Sequence, residues 1–197
     1  MTVRFVDEAD GVLGWIEGAR MRRTSHALAA AGRVWIVDPI EGDGVDERIR
    51  ALGEPAGVIQ LLDRHERDCA AFAARFGVPL HIVPRSLPGT PFELRPVVRL
   101  RFWREVALWW PERRILVCAD VLGTVPFFRA GDEPIGMHPL LRLWPPRGLR
   151  GLDVRHALVG HGEGVTDSAA VERALAEARR RLPRWLAGVP RIVRRGY

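Results

Sequence analysis

The chain has 197 residues, 47% of them hydrophobic and 27% charged, enough for one domain spanning 1–197. No stretch approaches the roughly 18–20 apolar residues of a membrane span. No basic segment followed by an apolar run opens the chain, so the expected location is cytoplasmic, away from membranes. The net charge of +6 comes from 30 basic residues, all of them arginine. Local groups stand at Arg20 to Arg23, Arg179 to Arg181 and Arg194 to Arg195. Neither zinc-finger spacing nor alternating aromatic and basic residues accompanies them, so nucleic acid is not the expected partner.

The N-terminal residues Met1 to Phe5 run directly into a strand-like pattern, and Val12 to Ile16 and Ser25 to Ala29 read as short strands. Gly32 to Pro39 is clearer: a β-branched run that ends at Asp38-Pro39, a turn signal. Val45 to Leu52 reads as a helix stopped by Gly53. Ala56 to Leu62 is continuously apolar, the mark of a strand buried on both faces. Glu66 to Phe76 then places Ala70, Phe72, Ala73 and Phe76 on one helical face, with Gly77 as its stop, and Val78 to Val83 is a further strand. In such a β–loop–α–β unit ligands gather beyond the strand's carboxyl end, which is the loop Asp63 to Asp68.

Phe92 to Val121 alternates as an antiparallel set, with strands at Val97 to Phe102, Val106 to Trp110 and Arg114 to Ala119. Trp109 and Trp110 would put one ring on each face, and an exposed one would offer a homodimer contact. An irregular stretch holds a short helix at Pro139 to Leu143, then a strand at Arg155 to Val159 and Gly160-His161-Gly162. The last helix starts at Asp167 or Ser168 and buries Val171, Ala174, Leu175, Ala178 and Leu182; Pro183 reads as the start of a new segment. Cys69 and Cys118 form no metal-binding or redox motif and read as small reduced hydrophobes.

The ordered set of a buried strand, an Asp-rich loop and helix, a strand ending in Ala119-Asp120, and Gly160-His161-Gly162 before a C-terminal helix resembles the metallo-β-lactamase superfamily over nearly the whole chain. That resemblance implies an α/β fold, a four-layer αββα sandwich. It also implies that Asp63, His65, Arg67 and Asp68 stand where the family's HxHxDH metal motif has three His and one Asp, so the motif is degenerate. Asp120 and His161 match the family's later acidic and final His ligands, and a further family His aligns with Arg101.

Two readings follow from the resemblance. In one, a single divalent metal (Zn, Mn or Fe) is held among Asp63, His65, Asp68, Asp120 and His161. Asp120 and His161 would then carry the hydrolysis of a small ester, thioester or phosphoester. In the other, no metal is bound and the protein is not catalytic. Arg67 and Arg101, which cannot ligate, then replace the cations through bidentate bonds to the carboxylates, and the pocket takes a small anion or a protein partner. The cost of clustering three unpaired carboxylates favours the second.

Overall fold

Near-continuous apolar runs give the central strands of the first half of the chain two buried faces. The computed structural model describes residues 1–19 and 21–194; Arg20 and Arg195, members of the basic groups, lie outside the described residues. The first sheet is formed by β1 (Val3–Ala9), β2 (Val12–Glu17), β3 (Thr24–Ala30), β4 (Arg33–Val37), β5 (Glu54–Gln60) and β6 (Leu80–Ile82). These strands lie side by side in chain order. The first four form an antiparallel meander, and β5 and β6 are added in parallel. In β4, Val34 and Ile36 pack with the helices outside the sheet, whereas Trp35 and Val37 point into the core shared with the second sheet.

The helices exist to cover that outer face. α1 (Val45–Leu52) buries Val45 and Ile49, one turn apart. α2 (Cys69–Phe76) buries Cys69, Phe72 and Ala73, and the Phe72 ring stacks on Trp15 of β2 at 6.4 Å. Gly77 ends α2 at φ 65°, its N–H reaching the carbonyls of Ala73 and Ala74. The helix begins three residues later than the apolar pattern indicates, because Arg67 holds φ 41°, outside helical backbone.

The second sheet has the order β12-β9-β8-β7, from β7 (Glu93–Leu100), β8 (Trp103–Trp110), β9 (Ile115–Cys118) and β12 (His156–Val159). Trp109 and Trp110 are both buried, which removes the expected exposed ring on β8; the exposed tryptophan is Trp144, at 71%. A small hairpin of β10 (Leu122–Gly123) and β11 (Gly136–Met137) sits in the irregular stretch. That stretch is braced by a buried ion pair between Arg142 and Glu133, at 2.6 Å. The C-terminal helix α3 (Ala170–Arg194) buries Val171, Ala174, Leu175 and Ala178 in the same core as the second sheet. It passes through Pro183 and Pro190 rather than stopping at the first of them. The order of layers is therefore helices, sheet, sheet, helix. No helix among the described residues is long and apolar enough to cross a membrane.

Candidate metal centre

At one end of the sandwich the two sheets are stitched together on both flanks. On one side Val106 N–H bonds to Leu61 O and Asp63 N–H to Arg104 O, so the end of β5 pairs with β8. On the other side Thr24 N–H bonds to Gly160 O and Gly162 N–H to Arg22 O. Three segments meet between these stitches: the loop after β5, the turn after β9 and the loop after β12. They carry His65, Asp120 and His161.

The glycines flanking His161 are dictated by this crowding. A Cβ on Gly160 would stand 2.8 Å from Ala119 O. One on Gly162, at φ 94°, would stand 2.1 Å from Thr124 Oγ1.

Nε2 of His65 and Nε2 of His161 lie 3.0 and 3.1 Å from Oδ1 of Asp120. Yet this Oδ1 is buried and has no hydrogen-bond partner. The outer nitrogens bear on which ring atoms carry protons. Nδ1 of His161 is 2.9 Å from the Met21 carbonyl, which can only accept, so Nδ1 carries the proton. Nδ1 of His65 is 3.3 Å from Oδ2 of Asp38, with the same consequence for an ionised carboxylate. In the neutral rings both Nε2 atoms then present lone pairs toward a carboxylate oxygen. Three lone-pair atoms so close repel one another unless a proton on one ring or a metal cation lies among them. Donors about 2.1 Å from one ion stand roughly 3.0–3.4 Å apart at ordinary coordination angles. The two distances to Asp120 meet that requirement, and all three donor atoms lie within 4.8 Å of one another.

The electrostatics agree. Burial pushes the Asp120 carboxyl up, but His161 and His65 outweigh it and hold the pKa well below the usual carboxylate range. Burial and the Arg67 charge oppose protonation of His65, yet Asp120 and Asp38 prevail and raise its pKa. The potential at this point therefore attracts positive charge. The donor set, two imidazoles and one carboxylate, suits zinc or non-haem iron and leaves positions free for water and substrate.

Asp38 and Glu105 support the three donors. Asp38, at φ 43°, accepts from Leu61 N–H through Oδ1 while its Oδ2 faces His65. Glu105 is fully buried on β8; Oε1 accepts from the amides of Asp120 and Val121, and Oε2 from the Trp103 indole. Burial and the nearby Asp120 push its pKa up to about 8. The sequence signal for Glu105 is its parity: it shares a strand face with Trp103, Ala107 and Trp109, all buried.

His138 also lies close, edge-on to the Trp103 ring at 4.6 Å, and burial pushes its pKa down to about 4. Arg64 lays its guanidinium on Trp103 and reaches within 4.0 Å of Asp120 Oδ2.

The other residues singled out in the sequence go elsewhere. Asp63 turns to β8, where its Oδ2 accepts from the backbone and side chain of Arg104. Asp68 Oδ2 accepts from Glu41 N–H. Neither joins the three converging donors. Arg67 forms no bidentate carboxylate pair; its guanidinium donates to the carbonyls of Thr24, Asp38 and Gly160 at 2.7, 2.8 and 3.0 Å. Arg101 lies exposed in the turn between β7 and β8, outside the cluster. Cys69 and Cys118 are buried, and burial pushes the Cys69 thiol up to about 12 and Cys118 well above its ordinary value, so neither supplies a thiolate.

No protein-family model and no curated protein matches the chain. Solved structures do match its fold. The DIM-1 metallo-β-lactamase superposes with a TM-score of 0.60 at 13% identity, covering 91% of this chain and 98% of that one. FIM-1 from Pseudomonas aeruginosa, in its mono-zinc form, gives 0.58 at 12% identity over 96% and 98%. A putative diflavin flavoprotein A 5 fragment from Nostoc sp. PCC 7120 gives 0.59 at 16% identity over 94% and 97%. With its two facing sheets, its helix layers and this coverage, the chain has the metallo-β-lactamase fold.

Proposed function

We propose that the chain is a hydrolase with one metal, held by His65, Asp120 and His161, that acts on a small anionic ester, thioester or phosphoester. The observation that carries this reading is the convergence of two imidazole lone pairs on a buried, unpartnered carboxylate oxygen. The mono-zinc form of FIM-1 lends support, since there a related fold holds a single metal. When bound, the metal supplies Lewis-acid polarisation of the scissile carbonyl or phosphoryl group.

The chain's own residues do the rest. Asp38 and the Met21 carbonyl fix the two ring orientations. Glu105 holds the Asp120 turn through two amides. Arg64, half exposed and braced on Trp103, offers its guanidinium to an anionic substrate group beside the donors. Phe128 stacks on His161 at 5.6 Å and screens that ring from water.

The alternative of a metal-free anion pocket lined by Arg67 and Arg101 draws no support from their positions. One guanidinium is spent on carbonyls and the other lies away from the cluster.

Protein purified without chelator is expected to carry about one transition metal per chain and to cleave members of an ester, thioester and phosphoester panel. Asp120→Asn and His161→Ala should lose both metal and activity. Wild-type protein that is free of metal, and that takes up none on titration with zinc or iron, would overturn the reading.

A further inference from the structure

Beyond the metal centre, we infer that the cleft between the β6–β7 connection and the β7–β8 hairpin binds a phosphorylated small molecule with an aromatic or apolar body, such as a nucleoside diphosphate. The cleft encloses about 780 Å³, which suits a ligand of that size.

Arg85, Arg99, Arg101 and Arg104 line it, from four places on three segments of chain, against an apolar floor that includes Leu94 and Val98. Among the described residues Arg85, Arg99 and Arg101 form no ion pair, and Arg104 pairs only with Asp63. Glu105 is the sole carboxylate in the lining, and both its oxygens are turned inward to Asp120, Val121 and Trp103. The cleft therefore gathers fixed positive charge with nothing opposite it. Phosphate oxygens match the fork of a guanidinium, and two phosphates can engage several arginines at once.

The apolar floor of Leu94 and Val98 selects the rest of the ligand, since it can cover an apolar body that inorganic phosphate lacks. No run of alternating aromatic and basic residues announces this in the sequence. The arrangement arises because the hairpin folds Arg99 and Arg101 toward Arg85 and Arg104. Arg104 also forms a common wall with the metal centre, since its partner Asp63 starts the loop that carries His65.

The inference does not rest on the metal reading, and the test separates the two. ADP, adenosine and pyrophosphate are titrated calorimetrically into chelator-treated full-length protein, while metal content is measured on the untreated preparation. ADP should bind and adenosine should not. Arg99→Ala/Arg101→Ala should weaken ADP about tenfold or more. Pyrophosphate should bind more weakly than ADP, since it has no body to cover the apolar floor; general charge attraction would not give that order. The double variant changes exposed side chains, so circular dichroism should show it folded as the wild type is. No ADP binding, or ADP binding unchanged in the double variant, would overturn the inference. So would binding of a single-stranded oligonucleotide with no binding of ADP. An untreated preparation that carries no metal and takes up none on titration with zinc or iron, with ADP binding intact, would remove the metal reading and leave this one standing.

Discussion

Asp38 decides what His65 can do. Its carboxylate faces Nδ1 and so leaves Nε2 as the atom that would ligate the proposed metal. Replacing it frees the ring to rotate and to change tautomer. Asp38→Ala should therefore weaken metal affinity about 10–100-fold while His65 remains in place, measured by competition with a chromophoric chelator. Arg67 has a different task. It ties Thr24, Asp38 and Gly160 together through their carbonyls, across both sheets and the loop after β5. Arg67→Met removes three hydrogen bonds, although Gly160 O keeps the Thr24 amide and Asp38 O the Ser25 hydroxyl, and should cost about 2–3 kcal/mol in urea denaturation. His65, Asp120 and His161 stand out in the sequence only together with Asp63 and Asp68, because all five lie in loops beyond a strand's carboxyl end; which of them converge is set by the folding of those loops. The destinations of Arg67 and Arg101 are not legible there. Arg67 stands at φ 41°, a backbone turn that redirects its side chain, and no residue-type pattern encodes that. Arg101 aligns with a family His inside the expected strand Val97 to Phe102, but a hairpin turn occupies that position.

At the scale of elements, the strands and α1 followed from apolar periodicity, because each buries a face whose period the sequence displays. α3 shows where local rules give way. Proline in a helix interior removes one hydrogen bond and costs about 3 kcal/mol in isolation. Here the helix continues past Pro183 because contacts on either side of it hold that part down. The Trp185 indole donates to Phe127 O at 2.7 Å, and Arg181 and Arg184 both reach Asp132 at 3.0 and 3.1 Å. Those contacts are long-range and leave no local trace. Trp185→Phe keeps most of the ring but loses the donor; it should lower stability by about 1 kcal/mol in thermal denaturation. Because Phe127 and Phe128 are adjacent, the same anchor positions the ring that stacks on His161. Phe72→Ala, under α2 and against Trp15, should cost about 3–5 kcal/mol.

For the whole molecule, acid stability follows from groups buried between elements. Burial pushes the Asp7 carboxyl up, but the bond from His26, the His26 charge and the Gly164 amide outweigh it and lower the pKa. The stabilisation from Asp7 is thus full above its unfolded value and is lost as pH falls through the folded one. His138 behaves in the opposite sense to a paired histidine. Its folded pKa of about 4 lies below the ordinary 6.5, so between these values the unfolded chain takes up the proton first. Stability should therefore decline as pH falls from about 6.5 toward about 4, and His138→Phe should flatten that slope. Denaturant midpoints measured across this range check the sign, and an unaltered slope in the variant would assign the decline to other groups.

The claim on which the rest depends is that one cation sits among His65, Asp120 and His161. Anomalous diffraction at the zinc and iron edges, from crystals grown without added chelator, tests it most directly. The account predicts a single peak about 2.0–2.2 Å from His65 Nε2, Asp120 Oδ1 and His161 Nε2. A peak at another place in the molecule, or well-ordered side chains with no peak among them after soaking in zinc or iron, would contradict it.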